Sequence, residues 1–236
     1  MRVIGHRGAA GQAPENTLGA MRHALACGVD AVEIDVRLLD DALIVLHDDT
    51  LERTTSGHGH YKALTVPALR ALDAGGGEPI PLLGEVIELV RGRSGLNVEV
   101  KEAGIAEQVI ACIAEHTRDA ADWRRQILLS SFDVATTASL ARLRGEMALG
   151  ILYEESFTAA LARADALNAR SLHLPLADVS AERVAAVHAH GLEALVYTVN
   201  DEAAIAHCRR AGVDGVFSDY PDRVIASNRA AARARQ

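Results

Sequence analysis

The stretch SLHLPLADVSAERVAAVHAHGLEALVYTVNDEAAIAHCRRAGVDGVFS, residues 171–218, decides the fold. It contains three strand-like runs rich in apolar residues, separated by two stretches with helical periodicity. The strand-like runs are Ser171–Leu174, Ala194–Val199 and Gly215–Ser218, and the helical stretches are Ala181–His190 and Glu202–Arg210. Strands that alternate with helices in this way predict right-handed βαβ units and a parallel sheet.

The same alternation extends back to the N-terminus and brings the number of strand-like runs to eight. The further runs are Arg2–His6, Ala31–Val36, Leu96–Lys101, Ile127–Ser131 and Ala148–Leu152, and the further helical stretches are Thr17–Cys27, Ile105–Glu115, Val134–Leu143 and Phe157–Ala166. Eight such strands favour a closed barrel over a doubly wound sheet, since no G-x-G-x-x-G motif opens the first helix. We therefore predict an α/β protein built as a single (β/α)8 TIM barrel.

About sixty residues separate the second predicted strand from the third, far more than one connecting helix needs. Within them, Leu38–His47 has an Asp-Asp pair between two apolar runs, which predicts a hairpin. Thr65–Leu72 has the pattern of a short helix. We predict one domain over residues 1–236, with a small insertion at the barrel mouth at approximately residues 37–95.

Composition excludes several classes of protein. The 236 residues carry a formal net charge of −8, which leaves no basic footprint for nucleic acid. No apolar run approaches the length of a membrane span. The start, MRVIGHRG, lacks a secretory pattern, and Cys27, Cys112 and Cys208 have no motif spacing. We expect a cytoplasmic protein whose partner is a small-molecule substrate; these patterns leave the oligomeric state open.

Charged residues stand at the ends of the second and third predicted strands, where barrel active sites lie. Side chains two apart on a strand share a face, so Glu33 pairs with Asp35, and Glu99 with Lys101. Three carboxylates from adjacent strands form a ligand set for Mg²⁺ or Ca²⁺, with Mn²⁺ also compatible. The alternative is a structural salt-bridge cluster in which Lys101 and Arg7 neutralise the acids. We favour the metal site, because both pairs stand at neighbouring strand ends.

Two histidines are candidate proton carriers, because imidazole titrates near neutral pH. His6 ends the first predicted strand, and His47 ends the hairpin beside Asp48, which could orient its ring. Either histidine alone would more often be structural, and it is their joint placement at the mouth that suggests chemistry. His173, at the end of the sixth strand, is expected to line the pocket.

Further polar residues at the mouth suit an anionic substrate. The Arg7 guanidinium can bind two phosphate oxygens at once, and Lys101 adds a second positive contact. The segment Glu15-Asn16-Thr17 opens the first helix, where Thr17 or Asn16 would act as a cap. Because this segment follows the first strand at the same end of the barrel, Glu15 and Asn16 are also candidates to contact substrate or metal.

These residues, in this order and spacing, resemble the glycerophosphodiester phosphodiesterase family. The segments that carry the resemblance are His6-Arg7-Gly8, Glu15-Asn16-Thr17, Glu33-x-Asp35, His47-Asp48 and Glu99-x-Lys101. It continues through Arg53-Thr54-Thr55-x-Gly57, Ile80-Pro81-x-Leu83, Ser131-Phe132-Asp133, Thr198-Val199-Asn200, Gly212-Val213-Asp214-Gly215 and Ser218-Asp219-Tyr220-Pro221. The ordered set covers nearly the whole chain.

The resemblance implies hydrolysis of deacylated phospholipids to sn-glycerol 3-phosphate and an alcohol, within lipid and glycerol metabolism. It places a divalent cation on Glu33, Asp35 and Glu99, and proton transfer on His6 and His47. Its short cytoplasmic members are the most similar in length. An aromatic residue that is often Trp before the Thr-Val-Asn segment is here Tyr197, which would reshape the alcohol side of the pocket.

We expect His6 to act as the base and His47 as the acid, while the cation and Arg7 neutralise phosphate oxygens. Two alternatives stay open. A lysophospholipase D-type phosphodiesterase on the same fold would need an apolar surface for an acyl chain. A catalytically silent barrel would bind the same ligands without turnover.

Overall fold

Residues 1–154 and 156–234, which the computed structural model describes, form a closed barrel of eight parallel strands with helices around it. The strands are β1 (Arg2–Gly5), β2 (Ala31–Leu39), β3 (Ala42–Val45), β4 (Gly95–Val100), β5 (Ile127–Ser131), β6 (Ala148–Ile151), β7 (Ser171–Pro175), β8 (Glu193–Tyr197) and β9 (Gly215–Ser218). The helices are α1 (Leu18–Cys27), α2 (Val66–Arg70), α3 (Leu83–Val90), α4 (Ala106–His116), α5 (Val134–Leu143), α6 (Phe157–Ala166), α7 (Ala181–Ala189), α8 (Glu202–Ala211) and α9 (Pro221–Arg233). Residues 155, 235 and 236 of the predicted domain lie outside the described residues.

Parallel pairing runs around the barrel from β1 through β2 and β4 to β9, and β9 pairs back to β1. At the closing seam Val3 lies opposite Val216. The remaining strand, β3, pairs antiparallel with the end of β2. The predicted (β/α)8 TIM barrel is confirmed.

The barrel strands are buried on both faces, which is why they read as near-continuous apolar runs. Their outward side chains, such as Val32, Val98 and Leu172, pack against the helices in the main core. Inside the barrel, Ile4, Leu195 and Phe217 form a small apolar cluster. The inward positions nearer the strand ends are instead polar, and this change of character marks the mouth as the place for chemistry.

The insertion has a small core of its own. The hairpin predicted at Leu38–His47 is confirmed: β2 and β3 are joined at Asp40 and Asp41, and Asp40 has a left-handed φ of 52°. The buried residues of this second core are Leu39, Ile44, Leu46, Leu51, Tyr61, Leu69, Ala74 and Ile80. The end of β2 pairs with β3 of the insertion, and the rest of β2 pairs with β4 of the barrel, so one continuous strand joins the insertion to the barrel.

Helix α3 was not expected from the sequence. It lies inside the range 37–95 assigned to the insertion, yet it packs in the outer ring against α1 and α4, as a barrel helix does. Its start has no side-chain cap from the preceding residue; instead the Glu85 carboxylate accepts a hydrogen bond of 2.8 Å from the Leu82 N–H. The division into one domain with an insertion stays a prediction, and this helix argues for an earlier end to the insertion.

None of the helices in the described part of the chain combines the length and the apolar character needed to cross a bilayer.

Candidate active site

A cavity of about 180 Å³ opens at the C-terminal ends of the barrel strands. One side of its wall is ionic and comes from the β1, β2 and β4 ends, and the other side is largely apolar. The apolar side carries Phe132, Leu152, Tyr197 and Phe217. A second cavity of about 200 Å³ lies at the opposite end of the barrel, and none of the predicted site residues lines it.

The turn after β1 brings backbone and side chains close together. Arg7 and Asn16 both have left-handed φ angles, 49° and 58°, which non-glycine residues rarely adopt. The Arg7 N–H donates to Glu33 Oε2 at 2.8 Å, so a carboxylate helps to hold the strained turn. Gly8 follows with φ 88°, and a Cβ there would lie 2.6 Å from the backbone of Ala20. The His-Arg-Gly segment therefore needs its glycine to let helix α1 pack closely.

Three buried carboxylates converge beneath this turn. Glu33, Asp35 and Glu99 each place an oxygen within 4.8 Å of the others. Lys101 Nζ lies 2.7 Å from Glu99 Oε1 and 3.5 Å from Asp35 Oδ1. Glu33 has no basic side-chain partner among the described residues, and its buried Oε1 has no hydrogen-bond partner there.

Burial and the neighbouring charges change the pKa of each of the three carboxylates. Burial and the neighbouring Asp35 raise the pKa of Glu33 to about 8, and burial and Asp35 also raise the pKa of Glu99. Burial opposes ionisation of Asp35 as well, but Lys101 and Arg7 hold its pKa below the ordinary value. Two basic groups therefore cannot satisfy three acids.

This arrangement bears on the two interpretations of the acids. A salt-bridge cluster accounts for Asp35 and Glu99, because Lys101 and Arg7 contact them. It leaves the Glu33 carboxylate with an unpartnered buried oxygen, which costs about 1–3 kcal/mol or more if the group is charged. A hard divalent cation prefers oxygen ligands of this type, so the residues present fit such an ion.

His6 is held by the carboxylate of the residue that follows the last barrel strand. Its Nδ1 lies 2.7 Å from Asp219 Oδ1, and Asn200 Nδ2 donates to Asp219 Oδ2 at 2.6 Å. Burial disfavours the charged imidazole, but the Asp219 hydrogen bond and the Glu33 charge together raise the pKa of His6 above its ordinary value. Because Nδ1 is engaged, Nε2 is the ring nitrogen left for the cavity.

His47, which lines the same cavity, has a similar arrangement. Its Nδ1 lies 2.6 Å from Asp48 Oδ1, and its carbonyl accepts two hydrogen bonds from the buried Arg37, at 3.0 and 2.6 Å. Burial lowers the pKa of His47 below its ordinary value, despite the opposing effects of Asp35 and Asp48. The predicted orienting role of Asp48 agrees with this contact.

Glu15, Asn16 and Lys101, which were also predicted to belong to the site, occupy different positions around the cavity. Glu15 accepts from Arg7 Nη1 at 2.7 Å at the mouth. Both polar atoms of the Asn16 side chain contact Asp35: Nδ2 donates to Oδ2 at 2.9 Å, and Oδ1 accepts from the backbone N–H at 3.3 Å. Asn16 therefore orients Asp35. Lys101 Nζ also lies 5.9 Å from the ring centre of Phe132, where charged and apolar walls meet.

His173 and Tyr197 line the cavity from the other strands. His173 is buried with Nε2 3.0 Å from Ser171 Oγ, and burial lowers its pKa to about 3, so its ring is neutral. Tyr197 packs edge-on to Phe132 with ring centres 6.0 Å apart. Burial raises the pKa of the Tyr197 hydroxyl, which therefore stays protonated.

Sequence reasoning assigned no role to Asp219, Asn200, Arg37 or Arg53. Asp219 is the residue directly after β9, and Asn200 lies three residues after the end of β8. The rule that active-site residues lie at the strand ends of a barrel could therefore have identified both. Arg37 lies near the end of β2 and Arg53 lies in the insertion. In this region no periodic pattern indicates which side chains point towards the barrel.

Comparisons with known proteins agree with this geometry. Residues 6–223 match the profile of the Glycerophosphoryl diester phosphodiesterase family. A glycerophosphodiester phosphodiesterase of Bacillus altitudinis is 36% identical over 241 residues, covering 95% of this chain and 96% of the relative. Another, from Caldanaerobacter subterraneus, is 32% identical over 237 residues, covering 94% of this chain and 96% of the relative.

A solved structure extends the likeness to three dimensions. The structure of an Oleispira antarctica phosphodiesterase in complex with the product sn-glycerol-3-phosphate aligns with a TM-score of 0.87 and 35% sequence identity, and the alignment covers 96% of both chains. The profile match includes every residue that lines the cavity described above. The chain therefore belongs to the glycerophosphoryl diester phosphodiesterase family.

Proposed function

We propose that this chain hydrolyses glycerophosphodiesters to sn-glycerol 3-phosphate and an alcohol, with a divalent cation as cofactor. The observation that carries the proposal is one cavity lined by two carboxylate-backed imidazoles, Arg7 and Lys101. The names of the relatives and the product held by the Oleispira antarctica structure support the substrate class. The three free cysteines suit a reducing cytoplasm, where such an enzyme would serve lipid and glycerol metabolism.

The positive groups of the site have a direct use in this reaction. Glu33, Asp35 and Glu99 would hold Mg²⁺ or Ca²⁺, with Mn²⁺ as a further candidate. When bound, the cation would neutralise charge on the phosphate oxygens as it builds up in the transition state. Arg7 and Lys101 would bind the same phosphate group, because both face the cavity beside the carboxylates.

The two imidazoles would divide the proton transfers between them. The raised pKa of His6 favours its protonated form, and the lowered pKa of His47 favours its neutral form. We therefore propose His47 as the base that takes the proton of the attacking oxygen and His6 as the acid that protonates the leaving alkoxide. This order is the reverse of the one expected from the sequence. The Asp219 hydrogen bond, the largest raising influence on His6, does not involve the three clustered carboxylates.

Asp219→Asn is expected to move one limb of the pH profile and leave the other in place. Activity should fall on the acid side as His47 becomes protonated and on the alkaline side as His6 loses its proton. Removing the Asp219 charge lowers the pKa of His6, so the alkaline limb should move to lower pH. The measurement is kcat/KM for glycerophosphocholine from pH 5 to 9. A shift confined to the acid limb would reverse the assigned roles.

The apolar side of the cavity bears on the lysophospholipid alternative. An acyl chain needs a continuous exposed apolar surface at the mouth. In the part of the chain that the structure describes, Val134 is the one large hydrophobic side chain that is exposed, at 57%. The apolar wall formed by Phe132, Leu152 and Tyr197 lies within a cavity of about 180 Å³, which suits a glycerol unit or a short alcohol better.

A turnover assay tests the proposed function. Glycerophosphocholine and lysophosphatidylcholine are supplied separately to the purified protein, with Mg²⁺ or Ca²⁺ and then with excess chelator. We expect release of sn-glycerol 3-phosphate from the first substrate, lost with chelator. Preference for the lysophospholipid would support the alternative substrate, and binding of both without turnover would identify a silent barrel.

A further inference from the structure

A chain of alternating charges crosses the mouth of the cavity. Arg7 Nη1 donates to Glu15 Oε1 at 2.7 Å. Arg53 Nη1 and Nη2 donate to the two oxygens of the same carboxylate, at 2.7 and 2.8 Å. Arg53 Nε donates to Asp48 Oδ2 at 2.5 Å, and Asp48 Oδ1 contacts His47 Nδ1 at 2.6 Å. One guanidinium thus connects the phosphate-binding arginine to a proton carrier.

We propose that Arg53 is a positioning residue that fixes Glu15 and Asp48. Through Glu15 it preserves the positive charge that Arg7 presents to a phosphate, and through Asp48 it controls the orientation and protonation of His47. Arg53 itself does not line the cavity. Its effect on turnover rests on the proposed function, whereas its effect on His47 does not.

Within this network of ion pairs, the contact between Arg53 and Glu15 affects the positive charge that Arg7 presents to a phosphate. Glu15 lies beside Arg7 at the point where an anionic phosphate would approach. Arg53 binds both Glu15 oxygens, so the carboxylate charge is compensated from the outer side as well as by Arg7. Without Arg53, Glu15 would be neutralised by Arg7 alone. The net positive charge that Arg7 offers to phosphate would then fall, and phosphate binding would weaken.

The contact between Arg53 and Asp48 affects the orientation of the Asp48 carboxylate relative to the His47 ring. Asp48 uses one oxygen for His47 and the other for Arg53, so its carboxylate cannot rotate away from the imidazole without breaking the second contact. The bond from Arg53 is also the leading cause that lowers the pKa of Asp48. With Arg53 removed, the Asp48 charge would act on His47 without compensation, and the imidazolium form of His47 would be favoured.

The insertion supplies this link. Arg53 lies two residues after Leu51, which is fully buried in the second core, and Thr55 Oγ1 donates to the Leu51 carbonyl at 2.7 Å. The Arg53 side chain itself is 49% exposed at the rim. Ion pairs with that exposure add little to folding stability, so its substitution should leave the fold intact. The insertion therefore contributes to the site through one solvent-facing guanidinium.

Arg70 offers a matched control. It also makes a two-pronged pair with a glutamate, donating from Nη1 and Nη2 to the oxygens of Glu85 at 2.7 and 2.8 Å, and it also lies between the second and third barrel strands. None of the described contacts connects it to the cavity. Arg70→Gln removes the same kind of interaction at a place where the proposed link is absent.

The first measurement is an NMR titration of the His47 ring in the whole protein, with its signal assigned from a His47→Gln spectrum. The charged groups that influence this ring are Asp48, Asp35, Lys101 and Arg7. Arg37 faces its carbonyl. In Arg53→Gln we expect His47 to titrate at higher pH than in the wild type, by roughly half a pH unit or more. Arg70→Gln should titrate as the wild type does. Identical titration in all three proteins would overturn the proposal, whether or not the protein is an enzyme.

The second measurement is steady-state kinetics with glycerophosphocholine. Arg53→Gln should lower kcat/KM roughly 10-fold, and its acid limb should move with the His47 titration. Arg53→Lys should recover only part of the loss, because an ammonium group lacks the planar fork that binds both acids. Full recovery with Lys, or an equal loss in Arg70→Gln, would contradict positioning through Glu15 and Asp48. A wild-type protein without turnover would refute the proposed function alone.

Discussion

His47→Ala and His6→Ala are each expected to lower kcat for glycerophosphocholine hydrolysis by about 10²–10⁴-fold. Each imidazole lines the cavity and has its Nδ1 held by an aspartate, so its Nε2 is available to move a proton. Alanine removes that nitrogen, and water in the space left would be poorly placed and would titrate far from neutral pH. KM should change less than kcat, because Arg7 and Lys101 would still bind the phosphate.

The control for this prediction is His23→Ala, since His23 is exposed on helix α1 and does not line the cavity. Thermal unfolding of all three variants checks that the barrel remains intact. The double variant should lose less than the product of the two single effects, because residues that serve one reaction are not additive. Near-normal turnover in both single variants would refute the two-histidine mechanism.

The opposite pKa shifts of His6 and His47 could not be predicted from the sequence, although the presence of both histidines at the barrel mouth could. His6 and Asp219 are 213 positions apart, and only closure of β9 onto β1 brings them together. The pKa of an imidazole depends on such neighbours, so strand-end placement identifies a proton carrier without saying which form it prefers. The role proposed for Arg53 was not predicted from the sequence for the same reason, since its partners are determined by tertiary contacts of the insertion.

The carboxylate cluster shows what local pattern can predict. Glu33 and Asp35 share a face because strand side chains alternate, and Asp35 lies opposite Glu99 in the register of β2 with β4. Strand period and barrel closure therefore sufficed to predict convergence. Helix α3 was missed because the insertion before it broke the regular strand–helix spacing, and its start relies on Glu85 rather than on a capping Ser, Thr, Asp or Asn.

Glu33→Gln is expected to stabilise the cation-free protein near neutral pH while impairing the enzyme. Burial and Asp35 raise the pKa of Glu33 to about 8 in the folded protein, well above its ordinary value. A raised carboxyl pKa means that the fold prefers the protonated form, so stability is full below the ordinary pKa and is lost as pH rises towards 8. Glutamine keeps an oxygen for the Arg7 N–H without the charge. Its gain at pH 7 should be on the order of 3 kcal/mol, and should shrink towards pH 5.

Cation binding should reverse the stability advantage of Glu33→Gln over the wild type. The comparison therefore tests whether Glu33 is a ligand of the cation. A cation that binds only the folded wild type adds stability in proportion to the logarithm of its concentration over Kd. Glu33→Gln should gain less from Mg²⁺ or Ca²⁺ and should need at least about 10-fold more of it for half-maximal activity. The measurement is urea unfolding at pH 5 and 7, with cation or with chelator, beside Glu107→Gln, a neutralised exposed carboxylate on α4. If the Glu33 variant and the wild type were stabilised equally by the cation, Glu33 would not be a ligand, and the buried carboxylates would have to be explained by Arg7 and Lys101 alone.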